Sequence, residues 1–115
     1  MRILVLDDEH ARHNLFLAAW GENAIVHAWT AESAIGALAG DRFHVVTLDH
    51  DLGPASDGDG LLVARYIARM PEERRPEVVY VHSANPVGAQ AMVDTLLRAD
   101  IMSRRIDPLA LRPIK

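Results

Sequence analysis

The 115-residue sequence contains no cysteine, which excludes disulfide staples, thiolate zinc sites and thiol nucleophiles. It also lacks a basic surplus: 12 Lys and Arg against 16 Asp and Glu leave a formal charge of −4. Generic DNA binding draws on excess Lys and Arg to neutralise phosphates, so it is not expected here. A small anionic ligand would need a local positive feature such as a metal ion or a helix N-terminus. Long hydrophobic runs are missing too. Ile3-Leu4-Val5-Leu6 meets Asp7-Asp8-Glu9 at once, too short for a signal-peptide core and far short of the about 20 residues of a membrane span. No membrane association is expected, and the cytoplasm is the default location.

What is present is the balance of a globular protein, 50% apolar and 24% charged, of a length that suits one domain over residues 1–115. Short apolar runs alternate with amphipathic stretches, the signature of βα units around a parallel sheet. Strands are expected over 3–6, 24–28, 44–48, 78–81 and, more weakly marked, 101–106. Helices are expected from the stretch carrying Leu15, Phe16, Ala19 and Trp20, stopped by Gly21; from the Thr30 N-cap to Ala39, stopped by Gly40; over 61–70; and over 87–98, opening after Pro86. Residues 52–60 read as a Gly-rich loop and 71–77 as a polar connector in which Arg74-Arg75 is a solvated charge run. After Asp107-Pro108 no full helix fits.

In an open parallel sheet with right-handed crossovers, ligands bind beyond the carboxyl ends of the strands. Three polar clusters converge there: Asp7-Asp8-Glu9 after the first strand, Asp49-His50-Asp51 after the third, and His82-Ser83-Ala84-Asn85 after the fourth. Each cluster alone reads equally well as solvated loop acids or helix caps. Together they make a crevice whose carboxylates repel one another unless a hard cation sits among them. Asp7, Asp8 and Asp49 are the expected ligands, with Mg2+ the natural ion and Mn2+ the alternative. His10 is expected to line the pocket, His13 to lie on the surface, and Trp20 and Trp29 to pack in the core or at its edge.

At these residues the sequence resembles the receiver domain of bacterial response regulators. Ile3-Leu4-Val5-Leu6-Asp7-Asp8-Glu9 resembles the family's first strand with its acidic metal-binding pair, and Val45-Val46-Thr47-Leu48-Asp49 the third strand ending in the phosphoacceptor. The resemblance implies a flavodoxin-like, doubly wound sheet of strand order 2-1-3-4-5, here without the last helix. It further implies a metal site completed by the carbonyl of Asp51, and phosphoryl contacts from Ser83-Ala84. The departures are His50 and Asp51 after the acceptor, an altered loop over 54–60, His82 before Ser83, and Asp107-Pro108 in place of Lys-Pro. Arg104 or Arg105 is expected to supply the missing positive charge. Leu48-Asp49-His50-Asp51-Leu52-Gly53 and His82-Ser83-Ala84-Asn85-Pro86-Val87-Gly88 look like a divergent receiver group named for a predicted role in processing cyclic phosphates.

Opening a cyclic phosphodiester requires charge stabilisation on phosphoryl oxygens, an activated water and a proton donor for the leaving oxygen. Asp49, His50, His82 and Ser83 are the candidate catalytic groups; Ser83, Ala84, Asn85, Arg104 and Arg105 are the candidate phosphate contacts. The substrate class would be a phosphate-containing small molecule or an RNA end. Two further readings stay open: a stand-alone receiver phosphorylated on Asp49 by a histidine kinase, and a binding module without chemistry.

Overall fold

The computed structural model describes residues 1–114. Five strands, β1 (Arg2–Leu6), β2 (Ala24–Ala28), β3 (Val45–Leu48), β4 (Val78–Val81) and β5 (Ser103–Arg105), alternate with four helices, α1 (His10–Trp20), α2 (Ala31–Gly40), α3 (Gly60–Arg69) and α4 (Pro86–Arg98). The strands form one sheet in the order β2-β1-β3-β4-β5, parallel throughout. This is the doubly wound order expected from the resemblance. Among the described residues no α-helix follows β5, only a single 3-10 turn at Pro108–Ala110. Among the described residues no helix is long and apolar enough to cross a membrane.

Side-chain alternation sorts the sheet into two layers. Leu4, Leu6, Val46, Leu48, Val79 and Val81 face the layer built by α2, α3 and α4. Ile3, Val5 and Val45 face Phe16 and Trp20 of α1. Where a fifth helix would flank α1, residues 106–114 run as an irregular strap instead. Ile106, Leu111 and Ile114 pack against the α1-side cluster, and the indole N–H of Trp20 donates to the Arg112 carbonyl at 2.8 Å.

The helix starts follow their caps. Thr30 and Ser33 form a reciprocal capping box at α2. Asp59 caps α3 through the Leu62 N–H, and Asn85 caps α4 through the Gly88 N–H with Pro86 in the first helical position. β5 is shorter than the run 101–106 because Ile101 is used elsewhere. Its N–H closes the end of α4 on the Leu96 carbonyl at 3.0 Å, with Asp100 at φ 59° in the left-handed turn that ends the helix. Arg74 and Arg75 are not a solvated run. Arg74 donates to the Leu38 and Ala39 carbonyls at the end of α2, and Arg75 donates to those of Ala68, Met70 and Ala99. Each arginine thus satisfies helix-terminal carbonyls that the chain leaves without partners.

Candidate functional site

The strand periodicity that builds the core also aims the site. Ile3 and Val5 face α1, so Asp7 emerges on that side; Val45 does the same for Thr47 and Asp49, and Tyr80 for His82. The register pairs Leu6 with Leu48 and Leu48 with Val81. Asp7, Asp49 and His82 therefore each stand one step past the last paired residue. The ladder continues through them, with the Asp49 N–H on the Leu6 carbonyl and the His82 N–H on the Leu48 carbonyl, both at 3.0 Å. All three are buried, and one ligand atom from each lies within 4.8 Å of the others.

Asp7 is fully buried and densely partnered. Oδ1 accepts the Glu9 N–H at 2.9 Å; Oδ2 accepts from His82 Nε2 at 2.8 Å and from Arg12 Nε at 2.5 Å. Burial alone would push its pKa up, but the bonds from His82, Arg12 and Glu9 outweigh that and hold it down at about 2. Asp49 has no such set. Burial first, and then the charges of Asp7 and Asp8, push it up to about 7 against the pull of Arg12, whose Nη2 stands 3.4 Å away. Two carboxylates in one pocket are thus driven apart in acidity, one fixed as an anion and one poised near neutrality.

His82 is locked from three sides. Asp7 is an anion and can only accept, so Nε2 carries the proton. Burial lowers the pKa and keeps the ring neutral, leaving Nδ1 to accept from the Thr47 hydroxyl at 2.6 Å. Phe16 meets the ring edge-on at 5.0 Å. His13 is buried, not at the surface, because its Nε2–H donates to the Asp7 carbonyl at 2.8 Å. Its Nδ1 then accepts from His27 Nδ1–H at 2.6 Å. His10 stays exposed and stacks on Trp29, 4.4 Å between ring centres, and Trp29 also covers His13.

The other candidates lie around this centre. The Asp8 side chain is one-third exposed, 3.6 Å from Arg12 Nη2. Gly53, at φ +70°, brings the β3–α3 loop so near that an added Cβ would stand 3.2 Å from Asp8 Oδ2. The Asp51 carboxylate is largely exposed and turns to His50 Nδ1 at 2.8 Å, while His50 Nε2 lies 3.4 Å from Asp59. His50 is thus held at the rim by the loop that follows it, and His82 is the histidine brought into the acid cluster. Ser83 is buried and its Oγ accepts the Asn85 N–H at 3.1 Å. The Asn85 side-chain oxygen is engaged in capping α4, and Ala84 is exposed at the mouth. Arg104 lies over the Tyr80 ring at 5.4 Å. Arg105 lines a groove of about 470 Å3 that opens beside the centre and is bounded also by Arg12, Leu15, Ser83 and Leu109.

The residue that sequence reasoning missed is Arg12. Its guanidinium reaches Asp7, Asp8, Glu9 and Asp49 together. The signal was available, since three- and four-residue spacings on a helix bring Arg12 back over Glu9 and Asp8. The residues present suit a hard divalent cation. The free donors are carboxylate oxygens, the ring nitrogens of His82 are both engaged, and Asp49 carries a buried charge that one long contact to Arg12 leaves incompletely balanced.

Comparison with curated protein sequences finds no match. Among solved structures, NtrX from Brucella abortus in complex with ADP is 25% identical with a TM-score of 0.68 over 99% of this chain, which spans only 24% of that protein. A CheY-like response regulator receiver domain from Methylobacillus flagellatus is 18% identical, with a TM-score of 0.66 over 100% of this chain and 88% of that one. A response regulator protein from Burkholderia pseudomallei, solved with a phosphorylated aspartic acid, calcium ion and citrate, is 17% identical with a TM-score of 0.66, over 90% of this chain and 58% of that one. The family model for the cyclic-phosphate processing receiver domain matches residues 2–98. With its acid-tipped strands in receiver order, the chain belongs to the cyclic-phosphate processing receiver family.

Proposed function

We propose that this chain opens a cyclic phosphodiester at the Asp7–Asp49–His82 centre in a reaction that depends on a divalent metal, in the cytoplasm. The observation that carries the reading is the convergence of buried Asp7, Asp49 and His82, one ligand atom from each within 4.8 Å of the others, beside a groove lined by Ser83, Arg12 and Arg105. A Mg2+ or Mn2+ ion held by Asp7, Asp49 and Asp8, with the Asp51 carbonyl, would supply charge stabilisation on the phosphoryl oxygens. The chain's own residues do the rest. A water oxygen attacks phosphorus, its proton passes to Asp49, the ring P–O bond breaks, and His50 protonates the departing oxygen. His82 is a positioning residue that fixes Asp7, and the Ser83 hydroxyl with the Ala84–Asn85 turn holds phosphoryl oxygens. Arg105 meets the ester from the groove, whereas Arg104, held on Tyr80, takes no part.

A second reading is favoured by the receiver fold and by the position of Asp49 at the end of β3: transfer of a phosphoryl group from a kinase or small phosphodonor onto the Asp49 carboxylate. The modified aspartate of the Burkholderia response regulator supports it. Against it stands the absence of Lys-Pro after β5.

A paired assay tests the two. With Mg2+ or Mn2+ and a nucleoside 2′,3′-cyclic phosphate, turnover lost in His50→Ala and Asp49→Asn is expected. A stoichiometric mass gain from acetyl phosphate, lost in Asp49→Asn and unaccompanied by turnover, would sink the hydrolytic reading in favour of signalling.

A further inference from the structure

Arg12 occupies a position that the helix itself disfavours. It is the third residue of α1, where the helix dipole repels a cation. The first turn holds no acid to offset it, and Glu9 at the N-cap makes no side-chain cap. What holds the guanidinium there is the acid cluster, with Nε on Asp7, Nη2 between Asp8 and Asp49, and Nη1 3.3 Å from Glu9. The side chain thus lies against the carboxylates that a divalent cation would need. It is also 28% exposed and forms part of the wall of the groove beside Ser83 and Ala84, so release from the acids leaves it facing the space a phosphate ester would enter. Among the described residues Arg12 is the arginine paired with Asp49, while Arg104 is held on Tyr80.

We propose that Arg12 is the pocket's resident counter-cation: it holds Asp7 and Asp49 until a divalent ion takes them, then turns into the groove and binds the phosphate oxygens. This rests on the metal-dependent reading above. Such an exchange keeps a cation against Asp7 and Asp49 throughout. It also places a planar, two-pronged donor where the phosphoryl group arrives.

The signature is a single substitution with effects of opposite sign. Mn2+ binding alone is measured by electron paramagnetic resonance, and inorganic phosphate binding at saturating Mg2+ by calorimetry. Arg12→Ala is expected to tighten Mn2+ on the order of tenfold, because the competitor is gone, and to weaken phosphate by a similar factor. Arg12→Lys restores most of the phosphate affinity. Should the alanine variant fail to fold by circular dichroism, Arg12→Gln, which keeps a donor for Asp7, gives the same comparison. Unchanged constants, or two shifts in the same direction, overturn the proposal and leave Arg12 a structural residue, with the metal-dependent reading intact wherever the wild type binds Mn2+. Absence of Mn2+ binding in wild type and variant alike overturns both together.

Discussion

Asp49 carries its charge at a cost that depends on pH. Its pKa is raised from 3.8 to about 7 by burial and by Asp7, so the folded state binds the extra proton between those values and stability falls as pH rises through that window. Below pH 4 the carboxyl is neutral in both states and nothing is lost. Asp49→Asn is therefore expected to stabilise the metal-free protein by roughly 2–4 kcal/mol at pH 8 and by almost nothing at pH 4, read from denaturant melts in EDTA. Asp7 works the other way. Held at about 2 against an ordinary 3.8, it contributes stability present above pH 4 and lost as pH falls toward 2. The candidate carboxylates were legible as residues, because polar clusters at three strand ends, acidic at two of them, have little structural reason to gather. Their unequal acidity was not legible, since it depends on burial and on Arg12 and His82 approaching Asp7 from different elements.

At the scale of elements, the start of α3 is what holds the floor of the site in place. The Gly60 N–H donates to the His50 carbonyl at 2.9 Å, and an added Cβ would stand 2.0 Å from the Asp49 carbonyl oxygen. Gly60→Ala must move backbone, and a loss of about 1–3 kcal/mol is expected in thermal or urea melts. Gly36, inside α2 with open space around it, provides the contrast; Gly36→Ala is expected to gain about 0.5–1 kcal/mol. Strand and helix periodicity made most elements readable: β2 and β4 stand where the apolar runs place them, and α2 follows its Thr30 cap. The misreadings share one cause. Ile101 looks like strand, His13 like surface and Arg74-Arg75 like a charged loop, until backbone carbonyls beyond their own elements claim them.

For the whole molecule, the irregular strap over 106–114 closes the face that α1 cannot cover alone. A chain ending at Asp107 would lose Leu111, Ile114 and the Trp20–Arg112 bond. About 2–3 kcal/mol of stability should go with them in denaturant melts. An open parallel sheet was readable in advance because five short apolar runs alternating with helices admit few arrangements, and its strand order followed from the resemblance to receivers; the strap was not readable, because it has no periodicity of its own. The strap and the acid pocket each have a tryptophan assigned to them by the fold. Trp20 holds the strap by its indole nitrogen, and Trp29 lies 3.8 Å from the ring of His13, which in turn grips the Asp7 carbonyl. The protein therefore carries two separate fluorescent probes. Emission from Trp29 follows the flank of the acid pocket and emission from Trp20 follows the docking of the strap, so the two events can be timed independently in two single Trp→Phe variants.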